Sequence, residues 1–152
     1  MAKVAILMGS ASDREVMQEA EKALAYFGIE SKSFILSAHR NPDETAEFAK
    51  NAEAEGYSAI IAGAGMAAHL PGVLASLTLL PVIGVPLAGS ALNGVDALYS
   101  IVQMPKGIPV ATMAIGKAGA INAAVFAARL LSLQEDDIKQ KLATFKQNGC
   151  KF

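Results

Sequence analysis

The feature that most constrains the fold of this chain is a long stretch without charge. No Asp, Glu, Lys or Arg occurs between Glu55 and Asp96, so most of this segment is expected to be buried. A membrane-spanning helix needs roughly 20 predominantly apolar residues in one run, whereas Pro71, Pro81, Pro86 and several glycines interrupt this segment. We therefore predict two buried strands and a buried helix here, and no membrane span.

Apolar runs alternate with amphipathic stretches along the whole chain. The continuous apolar run Val4–Met8 is typical of a central parallel strand that is covered on both faces. The predicted strands are Val4–Met8, Glu30–Leu36, Ser58–Ala62, Pro81–Val85 and Pro109–Ala114. The predicted helices are Asp13–Phe27, Pro42–Glu55, Leu70–Leu77, Asp96–Gln103 and Ala118–Leu131. Successive β-α units of this kind imply a parallel sheet with right-handed crossovers.

The length and composition of the chain predict one domain that assembles with other copies. A chain of 152 residues fits a single domain with a proper core, and we assign residues 1–152 to it. The polar stretch Glu135–Gln147 is predicted to be a last helix that packs on the core or on a neighbouring subunit. Hydrophobic residues make up 53% of the chain and charged residues 18%. We therefore expect other subunits to bury part of the surface, including the apolar helix Ala118–Leu131.

Charge and cysteine content restrict the partners and the compartment. The formal net charge is -1 at pH 7 and no block of Lys or Arg occurs, which argues against nucleic acid or an anionic membrane surface as the main partner. Cys150 is the only cysteine, so no intrachain disulfide can form. The apolar run that starts at Val4 is too short for a signal peptide and lacks a cleavage region. These features favour a cytoplasmic protein with a small-molecule ligand.

A histidine and an arginine follow the second predicted strand. The segment Ser37–Pro42 joins that strand to a helix, and in a parallel sheet such loops lie at the carboxyl edge, where ligands bind. His39 can give and take a proton near neutral pH, and Arg40 offers a planar fork of donors to phosphate or carboxylate. The pair indicates proton transfer on an anionic ligand. The alternative is a surface histidine beside a solvated charge.

A second polar loop, Gly9–Asp13, follows the first predicted strand. Its backbone N–H groups and serine hydroxyls face the positive end of a helix dipole, which favours an anion. Asp13 carries the wrong charge for a phosphate and suits ribose hydroxyls better. The alternative is that Ser12 or Asp13 only caps the helix.

A glycine-rich loop follows the third predicted strand. Gly63, Gly65 and Ala68 fit the G-x-G-x-x-G/A dinucleotide fingerprint, which makes a nicotinamide or flavin enzyme a rival. That fingerprint also requires an acidic residue about 20 positions further on, and the next acid here is Asp96. The glycines can still let a planar base approach the main chain. His69, in the same loop, fits a hydrogen-bonded structural histidine better than a catalyst when taken alone.

No metal site or acyl-transfer nucleophile is visible in the sequence. The two histidines are far apart along the chain, the cysteine is distal, and the carboxylates are not clustered. The serines lack a nucleophile-elbow pattern such as G-x-S-x-G.

Several of these segments together closely resemble one known family. The matching segments are Met8–Asp13, Leu36–Arg40, Gly63–Gly72, Tyr99–Pro105 and Val110–Gly116. They are similar, in the same order, to segments of the small-subunit phosphoribosylaminoimidazole carboxylase family of purine biosynthesis, whose members are mutases or carboxylases. The resemblance covers nearly the whole chain through Ala128, and several long motifs together are far more specific than any one of them.

The resemblance implies a flavodoxin-like three-layer α/β/α sandwich with a five-stranded parallel sheet, assembled as a homo-octamer with sites between subunits. It also implies a metal-free and cofactor-free reaction, the interconversion of N5-carboxyaminoimidazole ribonucleotide and 4-carboxy-5-aminoimidazole ribonucleotide by decarboxylation and recarboxylation. By position, His39 matches the general acid/base, and Ser10, Asp13 and Arg40 match nucleotide-binding positions. Further substrate-binding positions fall on Ser12, Ser37, Gly65, Ala67, His69 and Leu70.

Met66 departs from the family pattern, which is Gly-Ala-Gly-Gly at this point. A larger side chain there could narrow the pocket or face a subunit contact. Two other functions stay open at this stage. One is a carboxylase that takes free CO2 on the same fold, and the other is a flavodoxin-like nucleotide or flavin carrier that does no carbon chemistry.

Overall fold

The computed structural model describes residues 1–152 and is built around one five-stranded parallel sheet. The strands are β1 (Lys3–Met8), β2 (Glu30–Ile35), β3 (Ala59–Gly65), β4 (Val82–Leu87) and β5 (Ala111–Thr112). The helices are α1 (Arg14–Tyr26), α2 (Pro42–Asn51), α3 (Leu70–Leu77), α4 (Val95–Val102), α5 (Lys117–Leu131) and α6 (Asp136–Gln147). The strand order is β2-β1-β3-β4-β5. None of the helices has the length and apolar character needed to cross a bilayer.

Helices cover both faces of the sheet because the strand side chains alternate between two separate cores. In β1, Val4, Ile6 and Met8 belong to the core that α1, α5 and α6 cover. Ala5 and Leu7 belong to the core that α2, α3 and α4 cover. All five side chains are fully buried. The strand order is the one found in flavodoxin-like folds, and the predicted three-layer sandwich with a five-stranded parallel sheet is confirmed.

β3 is longer than predicted. Gly63 and Gly65 were expected to lie in a loop, but they continue the strand and pair with Val85 and Leu87 of β4. Gly63 tolerates this position because it lacks a side chain, since an added Cβ would overlap the sulfur of Met17. The extended strand carries the following loop further towards the carboxyl edge of the sheet.

Two elements are shorter than predicted. β5 was expected over Pro109–Ala114, but only Ala111–Thr112 pair with β4. β5 is an edge strand. Proline has no N–H to donate to a neighbouring strand, so it is tolerated at an edge but does not extend the hydrogen-bonded pairing. α2 ends at Asn51, before the predicted Glu55, and turns replace its last predicted residues.

The apolar helix α5 buries one face within its own chain, whereas Ala118 and Phe126 are exposed, so its contact with other subunits stays a prediction. Its fully buried residues include Ala120, Ala123, Ala124, Ala127 and Ala128. A second exposed apolar surface lies around α4. Leu92, Val95, Tyr99 and Val102 follow one another at three- and four-residue steps, and each is 42% to 62% exposed. Val95, Tyr99 and Val102 lie on one face of α4, and Leu92 lies in the turn just before it. We call these four residues the α4 stripe.

The C-terminal helix α6 packs on the core of its own chain. Ile138 and Phe145 are buried in the same core as α1 and α5. The Phe145 ring also contacts the rings of Tyr26, Phe27 and Phe152, with centroids 4.8 to 5.8 Å apart. Aromatic contacts of this kind stabilise beyond the area they bury, so they hold α6 against α1.

Candidate active site

A cleft of roughly 480 Å³ opens at the carboxyl edge of the sheet. It is lined by the loops that follow β1, β2, β3 and β4. Within the sheet, β2 pairs with one edge of β1 and β3 pairs with the other edge. The loops after β1 and β3 therefore diverge and leave a crevice, which is where open α/β sheets bind ligands.

The loop after β1 is held by a capping box. The Ser10 hydroxyl accepts a hydrogen bond from the Ser12 N–H (3.3 Å), and the Asp13 carboxylate accepts one from the Ser10 N–H (3.2 Å). The two serine hydroxyls are 3.0 Å apart and also share a hydrogen bond. Ser10 is therefore the capping residue, rather than Ser12 or Asp13 acting alone.

The loop after β2 is organised by Ser37. Its hydroxyl accepts from the Arg40 N–H (3.2 Å), and its carbonyl accepts from the Asn41 N–H (2.7 Å). α2 then begins at Pro42, whose fixed φ and missing N–H suit the first turn of a helix. This tight turn leaves His39 and Arg40 exposed along the cleft. Neither ion pair of the molecule involves Arg40, so its guanidinium is available to an anionic ligand.

The loops after β2 and β3 bring the two histidines into contact. His39 Nε2 and His69 Nδ1 are 2.6 Å apart, and the ring planes are nearly perpendicular, at 82°. Such a hydrogen bond needs a proton on one nitrogen and a lone pair on the other. When His39 is doubly protonated, its Nε2–H donates and His69 accepts as a neutral ring. His69 can therefore hold the orientation and the tautomer of the His39 ring.

Asp13 is the acidic group of the cleft, and its surroundings alter its protonation. Burial raises the pKa of Asp13 above its ordinary value of 3.8, and the hydrogen bond from the Ser10 N–H opposes that rise to a smaller extent. A carboxylate can accept about four hydrogen bonds, so one backbone donor leaves it unused capacity. It can accept from hydroxyl groups of a ligand.

All the site residues predicted from the sequence line this cleft. They are Ser10, Ser12, Asp13, Ser37, His39, Arg40, Gly65, Ala67, His69 and Leu70. The sequence analysis missed the loop after β4, which adds Ala88, Gly89 and Ser90. A signal for it was present, because a glycine and a serine follow that strand and a parallel sheet brings all such loops to one edge.

The dinucleotide fingerprint is not presented to the cleft. Gly63 lies within β3 against Met17, and Ala68 is buried in the core. Of the three fingerprint positions only Gly65 lines the cleft. A pyrophosphate-binding loop needs its first glycines in the turn that opens the helix, so this geometry disfavours a nicotinamide or flavin site.

The cleft combines a proton carrier with groups suited to a charged and hydroxylated ligand. The His39–His69 pair can donate and accept a proton through its ring nitrogens. Arg40 and the hydroxyl groups of Ser10 and Ser12 can bind an anion, and Asp13 can accept from hydroxyls. The arrangement suits proton transfer on a small phosphorylated sugar derivative.

Comparison with known proteins identifies the family. The chain matches the family model described as AIR carboxylase over residues 3–151, a range that contains the whole cleft. An N5-carboxyaminoimidazole ribonucleotide mutase of Haemophilus influenzae is 54% identical over 97% of this chain and 90% of that relative. The protein of the same name from Escherichia coli K12 is 53% identical over 96% of this chain and 86% of that relative.

Solved structures agree with this match. The crystal structure of Treponema denticola PurE superposes with a TM-score of 0.89 at 30% identity, and the superposition covers 99% of this chain and 92% of that one. The family that the sequence motifs predicted is thereby confirmed, because sequence and backbone agree over both helical layers and over the strand-end loops of the cleft. The chain belongs to the AIR carboxylase family.

Proposed function

We propose that this chain catalyses the interconversion of N5-carboxyaminoimidazole ribonucleotide and 4-carboxy-5-aminoimidazole ribonucleotide in purine biosynthesis. The observation that carries the proposal is the hydrogen-bonded His39–His69 pair, which lies in a cleft lined by anion-binding and hydroxyl-binding groups. The close relatives named as mutases of this substrate support it. The reaction moves one carboxylate from a nitrogen to a ring carbon, so it needs a proton carrier at both ends.

The proposed chemistry uses His39 first as an acid and then as a base. Protonated His39 gives its proton to the N5 nitrogen as the bond from that nitrogen to the carboxylate breaks, and CO2 leaves. The ring carbon C4 then attacks the CO2, and His39 takes the C4 proton, which restores the aromatic ring. The cycle returns the imidazole to its starting state. CO2 that is held beside C4 acts at a high effective concentration, so positioning provides much of the rate.

The remaining side chains bind the nucleotide in this proposal. Arg40 and the Ser10 loop hold the phosphate, because the guanidinium forms no ion pair and the loop presents the hydroxyl groups of Ser10 and Ser12. Asp13 accepts from the ribose hydroxyls. Gly65, Ala67 and Leu70 provide the uncharged wall against which the base lies. His69 holds the His39 ring.

The source of CO2 separates this proposal from its nearest rival. A carboxylase would use the same cleft and the same His39, but it would draw CO2 from solution. The relatives' names favour the mutase. A flavodoxin-like nucleotide or flavin carrier would leave the His39–His69 contact without a role, and it would purify as a yellow protein if it held a flavin.

We further propose that the chain assembles as a cytoplasmic homo-octamer. The α4 stripe supports this, because four exposed apolar side chains on α4 and the turn before it are costly to leave in water. With 18% charged residues, the chain is also sparsely charged for a surface that is fully in contact with water.

His39→Asn should abolish turnover and leave nucleotide binding largely intact. Asn keeps a polar side chain and removes the titratable nitrogen. A general acid or base typically contributes about 10²–10⁴-fold, and a residue that is used twice should lie at or beyond the upper end. Saturating turnover and ligand affinity are the measurements.

Two further variants are the controls for that experiment. Arg40→Ala should weaken binding and have a smaller effect once the ligand saturates. His69→Asn should be milder than His39→Asn, because His69 acts through the ring that it holds. If His39→Asn kept more than about a tenth of the parent turnover, less than the usual loss for a catalytic acid or base, the proposed mechanism would have to be abandoned.

Carbon labelling should distinguish a mutase from a carboxylase. With unlabelled substrate and labelled bicarbonate in solution, the product should contain little label, because the substrate's own carboxylate is retained in the cleft. Mass spectrometry of the product at early times measures the label. Full mixing of the label would identify the carboxylase instead.

Asp13 should make nucleotide affinity depend on pH. In the free protein burial raises the pKa of Asp13, and ribose hydroxyls that donate to the ionised carboxylate would lower it in the complex. Binding therefore releases a proton, and affinity should fall as the pH drops through the Asp13 pKa. Asp13→Asn should weaken binding about 10- to 100-fold at neutral pH, as expected for the loss of a charged hydrogen bond.

The Asp13→Asn variant is also the control for the pH profile of the parent. The phosphate of the ligand titrates in both proteins, so the difference between their pH profiles isolates Asp13. Calorimetric titration from neutral to mildly acidic pH measures both profiles. Parallel profiles for parent and variant would show that Asp13 does not contact the ligand.

Tyr99→Glu should break the assembly, because it introduces a charge into the centre of the α4 stripe. Light scattering should find an octamer for the parent and smaller species for the variant. Leu133→Glu changes another exposed leucine, 82% exposed and outside the stripe, and should keep the parent mass. A parent that stays a monomer at micromolar concentration would contradict the assembly proposal.

A further inference from the structure

Met66 has an unfavourable backbone conformation, and most of its side chain is not packed within the chain. Its φ is +54°, in the left-handed region, where a side chain larger than that of glycine is crowded by its own backbone. Asn93 has a similar φ, but asparagine tolerates this region better than most residues. The Met66 side chain is 64% exposed. The strain is therefore not compensated by burial in the core.

The position of Met66 connects it to the cleft. It directly follows β3, between Gly65 and Ala67, and all three residues line the cleft. His69, whose ring is hydrogen-bonded to His39, is three positions further on. Leu70, the other large apolar residue of the lining, is buried in the core. Met66 is thus the large apolar side chain of the cleft that is free to contact a ligand.

A methionine suits contact with a planar aromatic ligand. Its unbranched side chain has three rotatable bonds, and its polarisable sulfur makes favourable contacts with aromatic rings. Residues in strained backbone conformations persist where the surrounding structure holds them, and they cluster at ligand sites. Here β3 is paired on both sides through Gly63, so the start of the loop is held rigidly.

We propose that Met66 is a substrate-binding residue whose thioether folds over one face of the aminoimidazole ring. The inference rests on the proposed function for the identity of the ring. The opposite face of the ring then lies towards the His39–His69 pair, and Met66 closes the cleft from the solvent side. Its contact is made equally with substrate and transition state, so it contributes to affinity and not to the chemical step.

Three variants at this position separate the contribution of the side chain to binding from the effect of the backbone strain on stability. Met66→Ala removes the thioether and keeps a Cβ in the left-handed conformation, whereas Met66→Gly removes both. Each should raise KM about three- to tenfold, the range expected for the loss of a sulfur–aromatic contact, with kcat nearly unchanged. Met66→Leu keeps the apolar bulk but lacks the sulfur, so its KM should lie between those of the parent and Met66→Ala.

The strain should appear in the melting temperature. Met66→Gly should melt about 2–4 °C above Met66→Ala, the shift that corresponds to relief of one strained residue in a chain of this size. Asn93→Gly is the matched control, since it changes a left-handed residue outside the cleft and should leave KM unchanged. A Met66→Gly variant that is more stable than Met66→Ala and equally weak in binding would support the proposal.

Two results would overturn it. One is a KM within about 1.5-fold of the parent for both Met66→Ala and Met66→Gly, which is below the lower end of what a contact of this type contributes. The other is loss of the parent oligomeric mass in both variants, which would make Met66 a subunit contact. Calorimetric titration with aminoimidazole ribonucleotide runs in parallel. A parent that binds this nucleotide but does not convert N5-carboxyaminoimidazole ribonucleotide would contradict the proposed function, while weaker binding by the Met66 variants would still support the contact.

Discussion

The architecture depends on the pairing of β1 on both of its sides. β1 pairs in parallel with β2 and with β3, and the side chains from Val4 to Met8 are fully buried. Parallel neighbours can be joined only by crossovers, so α1 and α2 lie on opposite faces and the loops after β1, β2 and β3 meet at one edge. The contact between His39 and His69 depends on that strand order.

Much of the fold was predictable because local sequence and burial agree. The uncharged segment after Glu55 indicated buried strands and a buried helix, and the structure contains β3, α3 and β4 there. The errors lie at strand ends, where pairing between distant segments decides the outcome. Gly63 and Gly65 have low strand propensity, yet they extend β3 because Val85 and Leu87 provide a hydrogen-bonding partner. A local pattern does not contain that information.

The candidate site was predictable in its residues but not in its contacts. Each polar loop carried its own chemical signal, so Asp13, His39 and Arg40 could be selected from the sequence. The hydrogen bond between the two histidines joins loops thirty residues apart in the chain, and neither loop alone indicates it. The left-handed backbone of Met66 was equally hidden, because that conformation is typical of glycine and is set here by the path of the chain after β3.

The cleft is lined by loops that follow four different strands. The supply of its nucleotide ligand therefore affects how stable the folded chain is. A nucleotide that touches all four loops ties segments from Gly9 to Ser90 together, so it binds the folded chain and not the unfolded one. At a ligand concentration of 100 Kd, such binding stabilises the folded state by about 2.7 kcal/mol. In a cell that is making purines quickly, the enzyme would then resist unfolding and proteolysis. In a starved cell the empty cleft would leave the same chain easier to degrade.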